Sequence, residues 1–186
     1  MIKIATAECF THGKIGRELH AIAQNYEGSF GKEYMKNIKS YGDFDYNELS
    51  VTCSLFIPTI EAVEKILNVK NPPKPDKLIK GIKVYDEKGD LKVSKIMAQA
   101  VKDLTDCDIA IGTTAGVGHG GICIITDECE ISATTDVYAD LRENNSEDLF
   151  QRSENGIRKT LEIVLLLLNG RFDEIESLEN TKLNIL

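Results

Sequence analysis

The stretch Ala7-Glu8-Cys9-Phe10-Thr11-His12-Gly13 brings a carboxyl, a thiol, a hydroxyl and an imidazole into seven consecutive residues. A thiolate attacks carbonyl carbon readily, and an imidazole within reach takes or returns the proton that such an attack moves. Upstream, Ile2 to Ala7 is a β-prone alternating run. Downstream of Gly13, a helical pattern carries Ile15, Leu19, Ile22 and Ala23 on one face. Cys9 therefore falls in a strand-to-helix turn, at the carboxyl edge of a sheet, where α/β proteins bind ligands. Unpaired amides at a helix start favour a thiolate and can hold an oxyanion. Thr11 adds a hydroxyl donor and His12 a proton carrier, so Cys9, Thr11 and His12 are the catalytic candidates.

A second loop, Gly112-Thr113-Thr114-Ala115-Gly116-Val117-Gly118-His119-Gly120-Gly121, holds five glycines in ten residues. Such a run lets backbone approach a ligand and lets successive N–H groups form an anion nest, although it also reads as a plain connection. No Gly-Lys-Ser/Thr ending makes it a P-loop, and a strand instead of a helix follows it, unlike the dinucleotide fingerprint. Thr113, Thr114, Ala115, Gly116, Gly118, His119, Gly120 and Gly121 are its ligand-binding candidates, with Glu8 and Gly13 from the first turn. Cys9, His12 and His119 could supply three metal ligands, but their spacing matches no metal pattern, and no metal is expected. Cys53, Cys107 and Cys123 sit in apolar strand patterns and read as buried thiols, and Cys129 reads as a turn residue without a role.

The elements that position these loops follow from periodicity. Leu49 to Ile57 is a second strand candidate, with Pro58 at the start of a helix carrying Ile60, Val63, Ile66 and Leu67. Residues 25–48 show no clear period. Asn71-Pro72-Pro73-Lys74-Pro75 is a stiff connector, Ile79 to Tyr85 a strand, and Asp86 to Asp90 a turn. Ser94 is the expected cap of a helix with Ile96, Met97, Ala100, Val101 and Leu104. Cys107 to Gly112 reads as a buried strand, and Ile122–Thr126 with Glu130–Thr135 as an antiparallel pair. A long helix from about Glu147 to Leu168 ends at Asn169-Gly170. Strands alternating with helices, plus one hairpin, predict a three-layer α/β/α arrangement with a mixed sheet, one domain over residues 1–186.

The chain has 186 residues and a net charge of −8, with 16 basic and 14 acidic side chains in residues 1–105 against 6 and 16 in residues 106–186. That balance, without tryptophan, argues against nucleic-acid binding. Ten lysines between Lys65 and Lys102 read as a solvated surface. No apolar run is long enough for an export signal or a bilayer span, and the five cysteines form no C-x-x-C pair, so a cytoplasmic location with free thiols is expected.

Ile4 to Gly13 resembles the Thr-Ala-Glu-Ser-Cys-Thr-Gly-Gly segment of the CinA C-terminal domain, a nicotinamide mononucleotide amidohydrolase, and Asp108 to Gly121 resembles its glycine-rich loop. Asp90 to Val101 and Ile157-Arg158-Lys159-Thr160 run parallel to that domain as well. Cys9 stands where those domains have a serine nucleophile, His12 replaces a glycine and Val117 the loop proline. Over the whole chain, the opening Ala5-Thr6-Ala7-Glu8-Cys9-Phe10-Thr11-His12-Gly13-Lys14-Ile15-Gly16 and the Gly116-to-Gly121 loop resemble the HcgF family of methanogenic archaea. That resemblance implies a part in making the iron-guanylylpyridinol cofactor of [Fe]-hydrogenase. It implies that Cys9 takes the carboxymethyl group of guanylylpyridinol as a thioester after a partner enzyme adenylates it, with the glycine loop holding the guanylyl part. CinA-like hydrolysis with cysteine as nucleophile, and a non-catalytic nucleotide carrier, remain alternatives. A homodimer is the default assembly.

Overall fold

Residues 4–8 are buried on both faces: Ile4 enters one apolar cluster, Ala5 and Ala7 another. That is the signature of a central strand between two helical layers. The computed structural model describes residues 1–143 and 145–186. In chain order the strand β1 (Ile2–Glu8) leads to α1 (Lys14–Ala23), α2 (Lys32–Met35), a 3-10 turn at Tyr46–Glu48, β2 (Leu49–Phe56) and α3 (Ile60–Lys65). The hairpin β3 (Lys77–Ile79) and β4 (Ile82–Val84) precedes α4 (Glu87–Thr105), β5 (Ile109–Thr114), β6 (Val117–Gly118), β7 (Gly121–Ile125) and β8 (Cys129–Thr134). Then come β9 (Ala139–Asp140), α5 (Ser146–Leu168), α6 (Phe172–Glu176) and β10 (Thr181–Ile185).

The main sheet runs β10-β8-β7-β5-β1-β2. β1 is parallel to β2 and β5, and β5, β7, β8 and β10 alternate antiparallel. One face packs on α1 and α5 through Ile15, Leu19, Ile157 and Leu161. The other packs on α3 and α4 through Val63, Val93, Met97 and Val101. This is the three-layer mixed-sheet architecture that the alternation of elements predicts.

Several boundaries differ from expectation. Pro58 lies before helix α3, whose cap is Thr59, accepting from the Ala62 amide at 3.2 Å. Ile79 to Tyr85 is not one strand, because Lys80 and Gly81 take positive φ and fold it into a hairpin. Asp86 to Asp90 is not a turn but the cap and first turn of α4, with the Asp86 carboxylate accepting from the Gly89 amide at 2.7 Å. Ser94 is therefore buried mid-helix, and Leu104 falls outside the packed stripe. The buried strand is shifted to Ile109–Thr114, Cys129 opens β8 instead of sitting in a turn, and β10 is a strand that periodicity does not predict. Lys83, one of the lysines read as solvated, is fully buried.

Candidate active site

Cys9 follows directly on β1, and its amide donates to the Thr113 carbonyl at 3.0 Å and to the Thr113 hydroxyl at 3.3 Å. These bonds tie the thiol-bearing turn to the end of β5. The side chain is buried and lines an apolar cavity of about 130 Å³ at the carboxyl edge of the parallel strands. Phe10 and His12 join it from the first turn, Phe56 and Pro58 from the end of β2, Ile82 from the hairpin and Ala115 from the end of β5. Leu141, Leu149 and Arg152 close the remaining side. The sulfur stands 4.0 Å from the Pro58 carbonyl.

His12 has positive φ, and its ring stands at the mouth, 5.5 Å from Phe56. Its Nδ1 is 3.5 Å from the Ser153 hydroxyl. Partial burial lowers the His12 pKa, and the Lys14 charge adds to the effect. At neutral pH the ring is therefore uncharged and able to accept a proton.

Glu8 and Thr11 sit behind the cavity wall, not in it. The Glu8 carboxylate is fully buried and accepts from the Thr6 and Thr11 hydroxyls, at 2.9 and 2.7 Å, and from the Ile15 and Gly16 amides, at 3.2 and 2.9 Å. Burial raises its pKa while these four donors pull it back. The first-turn amides of α1, read from sequence as free donors for a thiolate or oxyanion, are thus taken by Glu8. Thr11 donates to Glu8 and lies 2.9 Å from the Thr113 hydroxyl. Since Thr11 spends its proton on Glu8, Thr113 is the donor of that pair. Gly13, in the left-handed region, is the residue before α1.

The glycine loop is packed inward. The Gly116 amide donates to the buried Asp90 carboxylate at 2.7 Å, and a Cβ at Gly116 would lie 2.4 Å from the Tyr85 carbonyl oxygen. Gly118 has φ +124°, a conformation that excludes ordinary side chains. Gly120 turns beside Ala115 and Phe10, and Gly121 opens β7 against the Asp90 backbone. His119 points away from the cavity, its Nδ1 2.6 Å from Glu87 and its carbonyl accepting from Thr135. Thr114 is buried, with its hydroxyl unpartnered. Of the sequence candidates, the cavity brings together Cys9, His12 and Ala115. Among the described residues no cluster of three or more His, Cys, Asp or Glu side chains has metal-binding geometry.

Two residues of this site lie outside the motifs. Arg152 is 2% exposed, and its Nη1 donates to the carbonyls of Gly116, Gly118 and Ala139 at 3.1, 2.9 and 2.7 Å. Its sequence signal is its place one turn before Gly156 on the buried face of α5, where a charged residue calls for a buried partner. Lys83 donates to the Ile57 and Pro58 carbonyls at 2.8 and 3.3 Å, clamping the hairpin onto the end of β2.

Fold and site define an α/β protein with a buried thiol facing an apolar cavity at the sheet's carboxyl edge, backed by a buried arginine. The chain belongs to the HcgF family, whose model, described as FeGP cofactor biosynthesis protein HcgF, matches residues 1–168. A UPF0254 protein of Methanococcus aeolicus is 45% identical over 173 residues, covering 92% of this chain and 99% of that protein. One from Methanothermobacter thermautotrophicus is 40% identical over 164 residues, covering 88% and 97%. One from Methanopyrus kandleri is 39% identical over 176 residues, covering 94% and 92%. No helix among the described residues is long and apolar enough to cross a membrane.

Proposed function

We propose that this chain acts in assembly of the iron-guanylylpyridinol cofactor by taking the carboxymethyl group of guanylylpyridinol onto Cys9 as a thioester. The observation that carries this reading is the placement of the Cys9 sulfur in an apolar cavity shared with neutral His12 and backed by Arg152. A partner enzyme supplies the carboxyl group as its adenylate. His12 takes the thiol proton, the sulfur attacks the acyl carbon, the carbon–oxygen bond to the phosphate breaks, and AMP leaves.

The cavity volume of about 130 Å³ admits the acyl arm and an adjoining ring edge, but not a whole nucleotide. The guanylyl part then rests on the rim, where the half-exposed Phe56 ring offers a stacking face. This reading moves the nucleotide off the glycine loop, whose amides and glycine faces serve internal packing. It also favours a retained thioester over CinA-like hydrolysis, because an apolar pocket around a buried sulfur keeps water from the acyl carbon.

Incubation with adenylated guanylylpyridinol, read by intact mass, tests the reading. Expected are a mass gain of one guanylylpyridinol less one water, equimolar AMP, and no gain in Cys9→Ser. Ammonia release from nicotinamide mononucleotide without any adduct would instead support the hydrolase. Reversible binding without mass gain would leave only a non-covalent carrier.

A further inference from the structure

Arg152 carries an unused half. All three of its hydrogen bonds leave from Nη1. Nε is sealed from solvent and has no partner, and no bond within the described residues uses Nη2. Nε and Nη2 share one edge of the guanidinium, the side-on fork that grips a carboxylate or phosphate through two parallel bonds. Elsewhere in this chain the same edge is filled: Arg142 turns Nε and Nη2 onto Asp140, and Arg171 turns them onto Glu174. At Arg152 it is vacant, although the side chain is buried and lines the Cys9 cavity.

The surrounding charges sharpen the point. Two cations are buried at or beside this cavity, Arg152 in its wall and Lys83 on the Pro58 carbonyl behind it. Of the two buried carboxyls whose charge acts on Arg152, Asp140 is already paired with Arg142, and Asp90 accepts from Gly116 and leaves its Oδ1 unpartnered. Burial raises the Asp90 pKa to about 7, so near neutrality it balances only part of that positive charge. Unpaired buried charge is costly, and such a surplus is relieved by an anion. A deprotonated Cys9 supplies one negative charge. The fork calls for a planar oxyanion.

We propose that the Nε/Nη2 edge of Arg152 is the anion-recognising contact of the Cys9 cavity, and that it selects small carboxylates and acyl phosphates. Recognition of this kind deepens the acyl-acceptor reading and rests on it for the natural ligand, where Arg152 grips the oxygens of the activated carboxyl group while Cys9 attacks its carbon. The fork then determines which end of the substrate enters. Its carboxyl-derived end seats against the arginine, and uncharged groups of the same shape lose the paired bonds.

The test needs no cofactor precursor. Alkylation of Cys9 by iodoacetate and by iodoacetamide forms the same sulfur–carbon bond and expels iodide, with the thiol proton passing to buffer. Only iodoacetate brings a carboxylate. Rates at Cys9, read by peptide mass spectrometry on the native chain, are divided to give the iodoacetate-to-iodoacetamide ratio, and glutathione supplies the free-thiol reference. The ratio at Cys9 is expected to exceed the reference at least about tenfold, the scale of one charge-assisted bidentate contact, with saturation in iodoacetate. Arg152→Lys should give an intermediate ratio, since a point charge replaces the fork, and Arg152→Gln should return it to the reference.

A reference-like ratio in the folded parent overturns the proposal, whether or not either variant folds. So does a Cys9 that neither reagent reaches, because no small carboxylate then meets fork and thiol together. The acyl-acceptor reading stands or falls separately, on the adduct formed with adenylated guanylylpyridinol.

Discussion

Cys9 and Glu8 are adjacent in the chain and opposite in role, since one side chain opens on the cavity and the other is consumed by four donors. Cys9→Ser changes one atom and little volume, so its stability should stay within about 1 kcal/mol of the parent. Thioester formation should vanish, read by a circular-dichroism melt beside intact mass. Any acyl mass retained by the variant would remove Cys9 as the attachment point. Glu8→Gln replaces an acceptor oxygen with an NH₂ group facing two donors, which should cost roughly 1–3 kcal/mol in urea unfolding. An unchanged midpoint would mean that the carboxylate does not organise the turn. Cys9 is legible in the sequence because a thiol between a strand and a helix has few other uses. Glu8 is ambiguous there, because its partners, the amides of Ile15 and Gly16, carry no side-chain signal. Arg152 escapes a motif reading for a related reason: its partners are backbone carbonyls of three residues far from it in sequence.

At the scale of elements, periodicity recovers the central strands and the long helices, and fails where a cap or a tight turn decides the boundary. Asp86 reads as a turn residue, yet the same side chain starts α4, and moving that start by two turns rotates the buried stripe onto Val93, Met97 and Val101. The first turn of α4 then brings Asp90 under the Gly116 amide. Burial lifts this carboxyl from 3.8 to about 7. Between those values the folded chain holds a proton that the unfolded chain has lost, so this group's contribution to stability falls as pH rises from about 4 to about 7. Asp90→Asn removes that slope. Relative to the parent it should gain on the order of 2–4 kcal/mol between about pH 4 and about pH 8, measured by urea titration. A difference that stays flat over this range would mean that Asp90 ionises normally. Helix α5 meets the Cys9 turn at Gly156, where a Cβ would fall 2.4 Å from the Phe10 ring. Gly156→Ala should therefore cost about 1–3 kcal/mol by overpacking, and should change Cys9 labelling because Phe10 walls the cavity. Parent-like stability and labelling together would show that the ring moves aside freely.

Taken whole, the molecule divides its sheet. The parallel half, β2, β1 and β5, presents the cavity at its carboxyl edge, and the antiparallel half, β7, β8 and β10, extends the sheet away from it. The family match ends at residue 168, so α6 and β10 lie beyond it. β10 covers the edge of β8 with five paired residues. Deleting residues 177–186 would bare that edge, so light scattering should show increased self-association while Cys9 still forms its adduct. Loss of the adduct would mean that the two halves are coupled. The layer architecture is readable because alternation of strand and helix is a local signal, whereas β10 is short, polar and dependent on a partner about 50 residues away. The contact that anchors Cys9 to Thr113, 104 residues later, has a further consequence for biosynthesis. During translation at about 5–20 residues per second, Cys9 is added roughly 7–29 s before Arg152. The nascent chain therefore displays its nucleophile long before the pocket around it exists, exposed to any oxidant or electrophile near the ribosome. Closure of the β1–β5 pairing and docking of α5 are what end that exposure, so the second half of the chain acts as a shield for a residue made well before it.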